Sequence, residues 1–280
     1  MIFVYKHAAV PRSIHKRSSR PAAKPASRSL ERYSAPALDK GIDILELLAD
    51  QANGLSQKQI AEELDRSASE IFRMLACLQE RKWVRRSFPG DLYELTPRLF
   101  ELAHRHPPTR RLLTAGMQQM RLLADDLGQS CHLAVLSSGT VTIVAQAESP
   151  LMHGFSVRLG GRLPIRETTS GAVLLAWAEP TVKVEAMTEM SGSDVRELES
   201  QMSQIRRRGY EQRKSRSVAG IVDLSFPVFD HNGYAAAAIT VPYLSGKQPG
   251  SRTSVMQKAV ERLRIAAATT SSAIGGGSAA

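Results

Sequence analysis

Residues 55–80 read LSQKQIAEELDRSASEIFRMLACLQE, and they contain two helix starts in quick succession. Ser56 stands three residues before Gln59, and Ser67 three before Glu70. In each pair the hydroxyl accepts from an early helical amide while the longer side chain reaches back to the cap amide. Behind the first cap lie Ile60, Ala61 and Leu64. Behind the second, Ile71, Met74, Leu75 and Leu78 recur at helical spacing and form the inward stripe of a longer helix. Only a few residues around Asp65 and Arg66 separate the two, so the stretch reads as a helix-turn-helix. In that arrangement the later helix enters the major groove of DNA. Its outer face would carry Ser69, Phe72, Arg73 and Ala76. Arg73 has the reach for a bidentate contact to guanine or for a phosphate, and Ser69 for a base edge or the backbone. Ser67 is a further candidate, although its first duty and that of Glu70 is to close their own cap. Taken alone, Arg73 would read as a solvated helix charge.

The flanks decide in favour of a groove contact. Upstream, Leu38, Ile42, Leu45 and Ala49, with Ile44 and Leu48 beside them, predict an amphipathic helix that Asn53-Gly54 ends. Downstream, Trp83–Ser87 and Leu92–Leu95 flank the turn signal Pro89-Gly90-Asp91, which predicts a two-stranded wing. Arg85 and Arg86 on its first strand suit a hairpin lying along phosphates. Residues 37–96 therefore read as a winged helix-turn-helix domain.

A chain of 280 residues has room for a second domain. Its net charge of +10 points to an anionic partner. Most of the excess sits in residues 1–37, with eight Lys/Arg against one acid, interleaved with Pro, Ser and Ala. Residues 1–36 read as a disordered basic tail, and contact with phosphates and a solvated role are equal alternatives. No run has the length of an apolar membrane span, and no signal-peptide core opens the chain, so a cytoplasmic protein without a membrane partner is expected. Cys77 and Cys131 stand in no metal-ligand spacing. Neither a metal nor a cofactor is expected.

Residues 97–108 read as a linker, a short helix interrupted at Pro107-Pro108. From Thr109 a long apolar stripe runs to Gly128. Strands are expected at His132–Leu136, Val141–Ala147, Val222–Phe229 and Tyr234–Val241, with helices near 171–178, 181–190 and 194–208. Hairpins mixed with helices give an α+β domain over 109–275, built on an antiparallel sheet. Thr169 and Ser170 lead into the helix beginning near Gly171, where free amides and the helix dipole favour an anion. Ordinary capping by these hydroxyls is the even alternative.

Ala37–Glu46, Leu55–Ala61, Ser69–Leu75 and Tyr93–Thr96 together resemble the IclR family of bacterial transcriptional regulators in order and spacing. The resemblance extends to Arg158–Ile165, Thr168–Ala172, Gly209-Tyr210, Ala219-Gly220 and Phe226–Val228, and covers nearly all of 37–270. It implies an effector-binding second domain similar to a GAF fold. By the same match Arg213, Gly220, Ile221, Asp223, Thr240 and Pro242 fall at or beside the effector site. Departures are Leu64–Ser67 in the helix-turn-helix turn, Glu70, Ala172, and Arg213 where an acid can stand.

An enzyme would need a nucleophile with its base or a metal cluster. Thr169, Ser170 and His132 are the tempting set, yet their context matches no hydrolase elbow or phosphate loop. His132 at the head of a strand reads as a core or pocket hydrogen-bonder. The expectation is a non-enzymatic, ligand-responsive regulator of a double-stranded DNA operator. It would sense a small organic acid and act as a dimer or dimer of dimers, because one recognition helix reads few base pairs. The alternative is a helix-turn-helix used as a protein-interaction module.

Overall fold

The computed structural model describes residues 35–88, 90–152, 154–188, 190–216, 218–244 and 252–277. Residues 1–34 of the expected basic tail and Pro89 of the wing turn lie outside them, and Pro36, placed in the tail by the sequence reading, belongs to the first helix. The described residues form two compact units that meet in sequence at His106/Pro107.

The first unit begins with α1 (Pro36–Ala49), whose Pro36 occupies the first helical turn. A two-residue strand β1 (Leu55–Ser56) precedes α2 (Gln57–Glu63), and α3 (Ala68–Glu80) follows. Both expected capping boxes are present, at Ser56/Gln59 and at Ser67/Glu70. Such caps are worth about 1 kcal/mol each. Between the helices Asp65 adopts φ 50°, a left-handed conformation that Asp tolerates better than most residues. The wing is β2 (Val84–Arg86) paired antiparallel with β3 (Leu92–Leu95), and β1 adds to the other side of β3. Gly54 permits this closure, because a Cβ there would lie 2.6 Å from the Tyr93 carbonyl. α4 (Arg98–Arg105) leaves the wing. The core is Ile44, Leu48, Ile60, Ala61, Ile71, Leu75, Val84 and Tyr93. One expectation changes here. Leu38, Ile42 and Ala49 of α1 are exposed, and the packed edge of that helix runs through Ile44 and Leu48 instead.

The second unit is a six-stranded antiparallel sheet between two helical layers. Its strands are β4 (Cys131–Ser137), β5 (Thr140–Ala147), β6 (Arg162–Pro164), β7 (Glu211–Lys214), β8 (Ile221–Phe229) and β9 (Ala235–Leu244), in the order β6-β5-β4-β9-β8-β7. One face packs Leu133, Leu224, Phe226, Val228, Ile239 and Val241 against α5 (Pro107–Leu127) and α9 (Arg252–Ala273). The other face meets α6 (Thr169–Ala176) and α8 (Gly192–Arg208), with α7 (Pro180–Met187) between them in sequence. Pro107 opens α5 rather than interrupting a helix, since proline fits a first helical position whose amide needs no partner. α8 ends at Gly209 in the left-handed conformation, with Arg206, Arg207 and Arg208 in its last turn.

Candidate functional site

In the first unit α3 turns Ile71 and Leu75 inward and leaves Phe72 56% exposed, with Ser69, Arg73 and Ala76 on the same open side. Ser67 is committed to the cap. Its Oγ accepts from the Glu70 amide at 3.3 Å, donates to Glu70 Oε2 at 2.9 Å and lies 3.2 Å from Ser69 Oγ. Lys40 of α1 donates to Glu70 Oε1, a tie that nothing in the local sequence pattern of α3 announces. That ammonium, with the Ser67 hydroxyl and amide, pulls the Glu70 carboxyl down to about 2. On the wing, Arg85 pairs with Glu94 and Arg86 with Asp91, both at 2.8 Å. The two arginines are exposed but already balanced by local acids.

In the second unit the N-terminal cap of α6 is Thr168, whose Oγ1 accepts from the Gly171 amide at 3.1 Å. Thr169 and Ser170 are therefore not the cap, and both are buried. Gly171 is a packing position, since a Cβ would meet the Ile165 carbonyl at 2.3 Å. Thr169 Oγ1 accepts from Arg213 Nε at 3.2 Å and donates to Asp223 Oδ2 at 3.3 Å. Arg213 and Asp223 are direct cross-strand partners on β7 and β8, and the threonine hydroxyl bridges them. Burial raises the Asp223 carboxyl, with Ser215, Thr169 and Arg213 opposing that rise. Burial and the nearby Arg216 lower Arg213. Among the described residues, Arg213 Nη2 is buried without a hydrogen-bond partner.

Register builds the rest of the floor. Glu211, Ser225, Thr240, His132 and Gln146 lie side by side across β7, β8, β9, β4 and β5. They share the α6 face with Arg213 and Asp223. Ser225 and Thr240 bond each other at 2.8 Å. Glu211 is held by Gln201 and Arg208, and Gln146 by Ser156, Glu148 and the Val157 amide. His132 is 7% exposed, and burial lowers its imidazole to about 4. Ile221 stands on the same face of β8, two residues from Asp223. Gly220 is not drawn into this cluster. It is exposed, turns the chain at φ 85° and has open space where a Cβ would stand. Pro242 pairs with Asp223 across β8 and β9. Lys40, Ser225 and Gln146 were missed by motif reading. Strand alternation carried a signal for the last two, but only once the partners of each strand were known.

Among the described residues no cluster of three or more His, Cys, Asp or Glu is placed to hold a metal, and no helix is long and apolar enough to cross a membrane. The model of the IclR helix-turn-helix domain matches residues 37–87, and that of the bacterial transcriptional regulator IclR C-terminal domain matches 109–272. The chain belongs to the IclR family. This regulator is 28% identical over 232 residues to the HTH-type transcriptional regulator BhcR of Paracoccus denitrificans, covering 80% of this chain and 83% of the relative. It is 24% identical over 250 residues to the HTH-type transcriptional regulator KdgR of Escherichia coli, covering 86% and 94%. Its fold is shared with a solved IclR homologue of Microbacterium hydrocarbonoxydans complexed with 4-hydroxybenzoate, at TM-score 0.71, 22% identity and coverage of 85% and 98%. An IclR regulator of Silicibacter gives TM-score 0.70 at 20% identity, covering 86% and 96%. The protein is thus a transcriptional regulator with a DNA-binding and an effector-binding domain, and the relatives named above are transcriptional regulators.

Proposed function

We propose that this regulator binds a double-stranded operator through Ser69, Phe72 and Arg73 of α3, steadied by the Arg85/Arg86 wing, and responds to a small organic acid in its second unit. Two copies or two pairs of copies would supply matched half-sites. The observation that carries the sensing reading is Arg213. Its Nε is occupied by Thr169, while Nη2 is buried and lacks an acceptor among the described residues. A buried donor without a partner is costly, and a ligand carboxylate removes that cost with a charge-assisted bond. Thr169 and Ser170 at the start of α6 add a favourable dipole end. Asp223 would repel a carboxylate if ionised; its raised pKa and its distance-sharing through Thr169 suit a ligand hydroxyl or amine instead. A hydroxy acid or a zwitterion follows, and the 4-hydroxybenzoate held by the Microbacterium homologue is of the first kind.

Calorimetry of the full chain with a panel of small hydroxy acids tests this, comparing wild type with Arg213→Ala and Ser170→Ala. Both variants should bind at least tenfold more weakly. Indistinguishable affinities would place the site elsewhere. Footprinting on upstream DNA with and without the best ligand, and light scattering for the oligomeric state, complete the test. A strictly monomeric particle with and without DNA would oppose the paired-half-site reading.

A further inference from the structure

Every member of the polar row across the sheet but one has a hydrogen-bond partner among the described residues. Ser225 and Thr240 pair, Glu211 is tied to α8, and Gln146 is held on both its oxygen and its nitrogen. His132, in the same row and more than nine-tenths buried, has no hydrogen bond to either ring nitrogen among the described residues. Ser170 at the start of α6, 2% exposed, is in the same position. Unlike Arg213 Nη2, the His132 nitrogens are not wholly sealed from solvent, so this largely buried ring offers a donor and an acceptor to a group that comes from outside the chain.

Position decides which part of a ligand it meets. Arg213 is on edge strand β7 and His132 on β4, with β8 and β9 between them. Three strand spacings of about 4.8 Å, and a step of about 7 Å along the strands, separate their backbones. Both side chains stand on the face covered by α6, so a ligand that meets both reaches across β8 and β9. Burial keeps the imidazole neutral at physiological pH. A neutral ring suits a hydroxyl, to which it can donate or from which it can accept, and suits a second carboxylate poorly.

We propose that His132 is a ligand-binding residue that reads a distal hydroxyl, and that the effector is an elongated monocarboxylate of hydroxybenzoate length with its acid at Arg213 and its hydroxyl at His132. The assignment rests on the carboxylate reading above for the first contact and on the unpartnered imidazole for the second.

The test is a cycle of ligands and variants by calorimetry on the full chain, with 4-hydroxybenzoate, benzoate and 4-hydroxybenzamide as probes. In wild type the hydroxyl should tighten binding about tenfold, 4-hydroxybenzoate over benzoate. In His132→Phe, which keeps a ring and loses both nitrogens, the two acids should bind alike. A hydroxyl advantage that survives in His132→Phe overturns the assignment, as does the absence of binding by all three probes at millimolar concentration. The benzamide separates the two contacts. If it binds as well as the acid and still loses affinity in His132→Phe, the carboxylate reading fails and the His132 contact stands. If His132→Phe does not fold, the wild-type ring nitrogen resonances of His132 decide by NMR. They should shift with 4-hydroxybenzoate and not with benzoate, and equal shifts overturn the proposal.

Discussion

Lys40 Nζ lies 2.5 Å from Glu70 Oε1, so the first helix grips the third residue of α3 at its N-terminal end. Glu70 meanwhile completes the cap with Ser67. One carboxylate therefore fixes both where α3 starts and where it sits against α1. Because its pKa is depressed from 4.5 to about 2, its contribution is complete above about pH 4.5 and is lost as pH falls toward 2. Glu70→Gln should lower the thermal midpoint at neutral pH, with the gap from wild type closing across that window. Circular dichroism melts at several pH values check it, and a gap that stays constant down to pH 2 would contradict it.

Arg73→Ala and Ser69→Ala should each weaken specific operator binding by about 1–3 kcal/mol and leave the melting temperature unchanged, since both side chains are on the open side of α3. Footprint titrations against specific and scrambled DNA measure this. Unaltered affinity and sequence preference in both variants would remove α3 from the groove.

The wing arginines carry paired charge. Glu94→Gln frees Arg85, which is joined to Glu94 at 2.8 Å, and should raise affinity for DNA of any sequence while steepening the salt dependence by about one unit of log–log slope. Arg86→Gln should make that slope shallower. Slopes unchanged in both variants would show that the wing stays off the phosphates.

His132 gives the ligand-free protein a pH signature. Its folded pKa is lowered from 6.5 to about 4, so the unfolded chain binds the extra proton first as pH falls. The stability associated with the neutral ring is complete above about pH 6.5 and declines toward pH 4, by on the order of 3 kcal/mol. Asp223, raised by burial, works in the opposite direction and is common to both proteins compared. Denaturant unfolding of wild type and His132→Gln should converge as pH drops through this interval, and parallel curves would count against a buried neutral imidazole.

Gly171→Ala should destabilise the second unit by about 1–3 kcal/mol or more, because the new methyl would lie 2.3 Å from the Ile165 carbonyl and 2.7 Å from Thr168 Oγ1. Unfolding followed by Trp177 fluorescence reports it. A wild-type midpoint would mean that the start of α6 is free to shift.

Elements with self-contained signals were legible in the sequence. The caps at Ser56 and Ser67 and the Asp230–Gly233 hairpin state their own geometry within four residues. α1 has apolar residues on more than one side, so periodicity alone favoured Leu38 and Ile42, and only the packing partners selected Ile44 and Leu48. α9 went unread because its Ala, Thr and Ser run has little polar contrast, although Thr270 and Ser271 satisfy their hydroxyls on carbonyls one turn back. Thr169 was named from its place at a helix start, and Arg213 and Asp223 from the family resemblance, but the hydroxyl bridge among them depends on register between β7 and β8 and on where α6 lands. The His132 row depends on pairing across more than a hundred residues of chain, which alternation within one strand does not specify.

All eight residues of α6, Thr169 through Ala176, are buried. A helix enclosed on every side has no outward stripe on which substitutions are free. The open side of α3 leaves room for substitution, whereas α6 accepts only exchanges that conserve volume. With the effector where we propose it, adaptation to a new ligand should therefore gather as change in side-chain size on the strands facing α6, at positions such as 213, 223 and 240, with the helix itself as the fixed mould.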